Sequence, residues 1–359
     1  MDVVVDLSGR HVIPPLAEAH NHDLQNAFLA GRIAPGYLAS GIFYSGQMGA
    51  NPEDIRPFRS FLGTPGSVDV MYVEALISAS DGHPLGMALD SYKAAGMEAK
   101  PEDIRDQAYW AVDSLADLDA RWDRIAKAKP ALVKVMLIDS ANYAANRRNP
   151  ALFGRNGMDP ALVPEIAKRT HAIGARLVAH AETADDFAKA VAGGADIIAH
   201  LPGYKIGRGK AAADYRLSDV SIAGAAKQRV TIITTTAISR FALEKSPKLA
   251  PVIRGNYVDN IRRLRAAGVK IVFGSDDVGG SVVGEIESVD RLNVIPRNEL
   301  LRIATQDSAR VLFPDRAIGT FVEGAEASLV ALEGNPLEDL SALRRPRLAI
   351  KQGELLARR

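Results

Sequence analysis

Cysteine is absent from this chain of 359 residues. That removes disulfides, thiolate metal ligands and a cysteine nucleophile in one stroke. Any metal held here must be gripped by imidazole and oxygen. Net charge is nearly absent too, at +1 from 44 basic and 43 acidic residues, so neither nucleic acid nor an anionic membrane is an expected partner. No apolar run approaches the ~18 residues that cross a bilayer; the longest clear candidate, ALVKVMLI, is strand-sized and carries a lysine. The opening MDVVVDLSGR lacks a basic segment followed by a long apolar one, so no secretory signal is visible, and cytoplasm and periplasm both fit. Histidine is scarce, with seven in all.

Those few histidines are not scattered. His20 and His22 stand one residue apart in VIPPLAEAHNHD, and on a strand positions i and i+2 share a face, so both imidazoles can reach one cation. His180 closes RLVAH, His200 closes DIIAH, and Asp276 ends KIVFGSD. Four imidazoles and a carboxylate on strand ends suit a divalent metal that activates water.

Eight apolar strand-sized runs can be counted, over 17–23, 41–47, 70–80, 131–137, 176–180, 196–200, 231–236 and 270–276. Most are continuously apolar, as parallel strands buried on both faces require. Helical spacing fills the intervals, notably over 102–128 and 257–268, and two helices start with the same PEDIR segment at 52–56 and 101–105. The alternation favours a (β/α)8 TIM barrel, with an open doubly wound sheet as the alternative. The polar residues decide for the barrel: His20, His22, Lys134, His180, His200 and Asp276 lie at or near predicted strand ends, which only a barrel brings to one mouth. We expect the catalytic barrel over 15–314. The Gly-punctuated tail 315–359 and residues 1–14 should form a small β-sandwich domain between them.

Taken together, VIPPLAEAHNH, ALVKVML, RLVAHAET, DIIAHLPG and FGSDD, in that order, resemble the amidohydrolase superfamily of metal-dependent hydrolases. The tail LLRIATQDSARVLF with GTFVEGAEASLVALEGNPL is similar to its closing helix and sandwich strands. HAIGARLVAHAETADDFAKAVAGGADIIAH looks like the imidazolonepropionase-like and prolidase-like branch. Pro15 stands where the family usually has Gly, and Glu18 where it often has Asp.

The resemblance implies metal ligation by His20, His22, Lys134, His180, His200 and Asp276. Two zinc ions would be bridged by hydroxide and by Lys134 carbamylated with CO2; the other reading of Lys134 is a lysine that reaches the mouth without ligating. Asp276 would also serve as general acid and base. His83 resembles the Gly-Gly-His segment of prolidase-like relatives, where that histidine faces the substrate. Glu182 occupies a substrate-contacting place where those relatives often have Tyr. Tyr143, with Arg147 and Arg148, could meet a substrate carboxylate, whereas His11 and His171 read as structural. The implied reaction is hydrolysis of a C–N bond in a small molecule, with N-acyl amino acids or dipeptides as candidates. The alternatives are a mononuclear cyclic-amide hydrolase or deaminase, and a non-catalytic metal- or ligand-binding barrel. Oligomeric state stays open.

Overall fold

The computed structural model describes residues 4–358. Its strands, in chain order, are β1 His11–Ile13, β2 Leu16–Asn21, β3 Ile42–Gln47, β4 Asp69–Ser78, β5 Trp110–Ala111, β6 Leu132–Leu137, β7 Arg176–Ala181, β8 Ile197–Ala199, β9 Thr231–Ile233, β10 Lys270–Val272, β11 Leu329–Leu332, β12 Pro346–Lys351 and β13 Glu354–Arg358. Helices separate the parallel strands, giving the expected mixed α/β alternation. Among the described residues no helix is long and apolar enough to cross a membrane. Two compact units divide the chain: 1–47 with 55–71 and 272–359, and 48–54 with 72–271.

In the first unit β2 and β3 are parallel, Leu16 opposite Ile42 and Asn21 opposite Gln47. The chain leaving β10 lies along β2: Ala19 N–H donates to Phe273 C=O at 2.9 Å and Asp276 N–H to His20 C=O at 2.8 Å. The two chain ends meet in one antiparallel sheet, ordered β1-β11-β12-β13. The expected sandwich is therefore a single sheet here, because the N-terminal stretch supplies only a three-residue strand, too little for a second layer. Lys351 of β12 is fully buried and donates to Thr64 C=O (2.7 Å), Ser67 C=O (2.6 Å) and the Asp69 carboxylate (2.5 Å). Arg316 joins Asp69 to Glu326, which in turn accepts from Tyr44.

In the second unit β4, β6, β7, β8 and β9 form a parallel run in that order, with β5 beside β4. Leu132, Val133, Val135 and Leu137 of β6 are all fully buried, as a strand covered on both faces must be. The helical reading of 102–128 is corrected: a short helix Pro101–Ile104 and a longer one Leu115–Lys127 flank β5. The break has a cause. Asp106 turns into the left-handed region (φ 57°), and its carboxylate accepts from Ala111 N–H at 3.0 Å and from Arg121 at 2.8 and 2.7 Å. Ser114 then restarts the helix by capping Asp117 N–H at 3.1 Å.

Candidate metal centre and active site

In the first unit, His20 ends β2 fully buried, with His22 just beyond it. Their Nε2 atoms approach the same oxygen of Asp276, at 3.4 and 3.5 Å. Two ligands each ~2.0–2.1 Å from one tetrahedral cation stand roughly 3.3 Å apart, so this donor set fits a divalent metal. The main chain builds it. Gly274 presses its backbone so close to β2 that a Cβ there would lie 2.4 Å from His20 N. Glu18, also fully buried, accepts from Ser275 N–H at 2.8 Å and His20 N–H at 3.1 Å, tying both ligand-bearing segments together. Burial pushes its carboxyl up to about 8 against the pull of those N–H groups. At the end of β2, Asn21 donates to Ser45 and Gly46, and beyond it Leu24 N–H donates to Gln47, which fixes the turn carrying His22. Asp276 itself sits at φ 47°, a strained conformation of the kind found at functional sites.

In the second unit, His180 and His200 leave neighbouring strands with Nδ1 of the first 3.0 Å from Nε2 of the second. The outer nitrogen of each ring has its own partner: His180 Nε2 lies 3.3 Å from Glu182 Oε1, and His200 Nδ1 lies 2.6 Å from Thr235 Oγ1. An ionised carboxylate only accepts, so His180 Nε2 carries the proton and Nδ1 presents a lone pair. The Thr235 hydroxyl can accept from His200 Nδ1, which turns the lone pair of Nε2 to the same point. Burial lowers the His180 pKa, against the pull of Glu182, so the ring stays neutral. Two imidazoles that face one point, each steadied by an outer partner, suit a metal ligand pair once the proton shared between their inner nitrogens is given up.

Lys134 sits inside β6 rather than at its end, 2% exposed, with Nζ donating to Met48 C=O at 3.2 Å. His83 stacks on His180, ring centroids 6.1 Å apart. Burial first, then the neighbouring His180, pushes His83 down to about 3, so it too is neutral. Burial alone would raise the Glu182 carboxyl; Lys205 and His180 outweigh it and hold the group well below the usual carboxylate range. The second unit thus brings His83, His180, His200 and Glu182 together.

Tyr143 stands on a short helix, Tyr143–Asn146, partly exposed and close to Arg147. Arg147 is itself engaged by Asp81 and by Asp113 (3.1 Å), on the loops after β4 and β5, so it braces the segment that carries His83 instead of offering a free cation. His171 pairs with Asp196 at the surface and His11 lies in β1, both remote from this chemistry in role. Sequence reasoning missed Thr235. The run TIITTT reads as strand throughout, yet β9 stops at Ile233 and Thr235 takes φ 47°, rare for a β-branched residue. Tyr204 and Lys205, which hold Glu182, also gave no signal.

The amidohydrolase family pattern matches residues 42–356. This chain belongs to the amidohydrolase family. It is accordingly a hydrolase acting on carbon–nitrogen bonds of small molecules, in a family that is generally metal-dependent. No curated protein matches it in sequence. Among solved structures it is similar to a prolidase complexed with N-methylphosphonate-L-proline (TM-score 0.74, 19% identity, 100% of this chain and 91% of that one). A Xaa-Pro dipeptidase with bound methionine is similar as well (0.73, 21%, 98% and 88%). So is the ochratoxinase of A. niger (0.73, 17%, 96% and 82%). At such identities these likenesses establish the fold of this amidohydrolase.

Proposed function

We propose that this amidohydrolase cleaves the amide bond of N-acyl amino acids or dipeptides at one binuclear centre, ligated by His20, His22, Lys134, His180, His200 and Asp276. The observation that carries the reading is the imidazole pair of His180 and His200, with nitrogens 3.0 Å apart and both outer nitrogens partnered. The proposal includes closure of the eight parallel strands as a (β/α)8 barrel over 15–314, with residues 1–14 and 315–359 as the appended domain. A divalent metal, zinc by the character of the donors, supplies Lewis acidity and lowers the pKa of water towards ~7 when bound. Lys134, carbamylated, would be among the residues that hold the metal in this reading.

The remaining work falls to side chains. Asp276 accepts a proton from the attacking water and returns it to the departing nitrogen as the C–O bond forms and the C–N bond breaks. His83, held neutral against His180, donates a hydrogen bond to the carbonyl or carboxylate of the substrate. Glu182 and Tyr143 complete the binding set.

Elemental analysis with native intact mass in bicarbonate tests this. Two metals per chain and the mass of one added CO2 are the expected result. One metal with unmodified Lys134 would replace it with a mononuclear hydrolase of cyclic amides or a deaminase. Asp276→Asn should lower kcat for a dipeptide ~10²–10⁴-fold.

A further inference from the structure

We infer that Glu182 is a cation-reading subsite, so that the preferred substrates carry an ammonium group on a side chain; this rests on the amide-hydrolase reading above. A carboxylate has two oxygens and about four acceptor positions. Here the donors crowd one of them. Glu182 Oε1 receives Lys205 Nζ at 2.8 Å, Tyr204 OH at 2.9 Å and His180 Nε2 at 3.3 Å, whereas Oε2 takes no donor among the described residues. The side chain is 15% exposed, so it is open to an incoming group without being a surface carboxylate.

Its position is fixed from behind. Glu182 N–H and Thr183 N–H both donate to the Asp186 carboxylate, at 3.1 and 2.9 Å, in the capping box that starts the helix Ala184–Ala192. Tyr204 is buried and its ring packs 5.3 Å from that of His200. Lys205 lies over the Tyr204 ring with its side chain 48% exposed, so this partner approaches from the solvent side and its ion pair is screened. The free oxygen therefore sits on the same carboxylate that steadies His180, a few bonds from any amide held at the imidazole pair. An ammonium there gains a charge-assisted hydrogen bond that a neutral side chain of the same length lacks. A tyrosine at this place would offer a hydroxyl; glutamate reverses the recognition towards cations.

The test uses the metal-loaded full chain and three matched dipeptides that differ only in one side chain: lysine, norleucine or glutamate. The lysine peptide should exceed the norleucine peptide in kcat/KM by ~10-fold or more, and the glutamate peptide should be the poorest. Glu182→Gln keeps an acceptor for His180 but removes the charge, and should bring the lysine-to-norleucine ratio close to one even if kcat falls for both. Lys205→Met removes the competing internal cation and should raise that ratio. A wild-type ratio near one, a preference for glutamate, or a ratio that survives Glu182→Gln would each overturn the inference while leaving amide hydrolysis standing. If neither a dipeptide nor an N-acyl amino acid is turned over, the amide reading fails. Calorimetric binding of free lysine against norleucine then still decides Glu182: tighter lysine binding that Glu182→Gln abolishes supports the subsite, and equal binding overturns it.

Discussion

The two groups of ligand candidates are built by different means. His20, His22 and Asp276 are placed by main chain pressed against main chain: Gly274 against His20, and Glu18 gripping two backbone N–H groups. His180 and His200 are placed by strands too, but what aims their lone pairs is a side chain on each outer nitrogen, Glu182 and Thr235. The first arrangement should fail by unfolding, the second by losing metal from an intact protein.

Gly274→Ala is the sharpest way to break the first. Its Cβ would meet backbone at 2.4 Å, which cannot yield as a flexible side chain can, and overpacking of that kind costs ~3 kcal/mol or more. Urea unfolding should show that loss; an unchanged midpoint would mean that β2 and the segment after β10 are not locked as described. Thr235→Val tests the second group. It should weaken metal affinity ~10–100-fold with the unfolding midpoint nearly unmoved, and Thr235→Ser should restore it. Equal stability loss and metal loss would erase the contrast between the two groups.

Arg147→Met should have a smaller effect, raising KM several-fold (~3–10-fold) with metal content unaltered, because it frees the loop that carries His83. A drop in metal content instead would place Arg147 nearer the ligands than its ion pairs with Asp81 and Asp113 indicate.

The smallest effect should come from Glu326, which has no part in the proposed chemistry. Burial would raise its carboxyl, but Ser328 and Arg316 outweigh that and hold it below its ordinary value. A depressed carboxylate contributes stability that is present above its unfolded pKa of ~4.5 and is lost as pH falls through the lower folded value. Arg316→Met should therefore flatten the acid limb of a stability–pH curve, and a limb that keeps its slope would assign it to other carboxylates.

Much of this was legible in the sequence, for physical reasons. Strands buried on both faces leave continuous apolar runs, so the order of β2, β6, β7 and β8 and the histidines ending three of them could be read directly. The family that this order suggested is the family to which the chain belongs. What could not be read depends on partners distant in sequence. Helical spacing persists through Asp106, and nothing local shows that its carboxylate will be taken by Ala111 and Arg121. Arg147 has the look of a free cation until Asp81 and Asp113 are placed beside it. Thr235 is one threonine in a row, and only its left-handed backbone and its distance to His200 distinguish it.

The buried Lys351 has a consequence for the order in which the chain can fold. Its partner Asp69 lies 282 residues earlier, and β1 pairs with β11 across a comparable span. Contacts so far apart require the ends of a very long loop to meet before any reward is gained. The unit formed by 48–54 and 72–271 contains its own parallel run and can acquire structure while the rest of the chain is still being synthesised. The other unit, assembled from three separated segments, must wait for β12. The segment bearing His20 and His22 is thus among the first made and among the last to be locked in place.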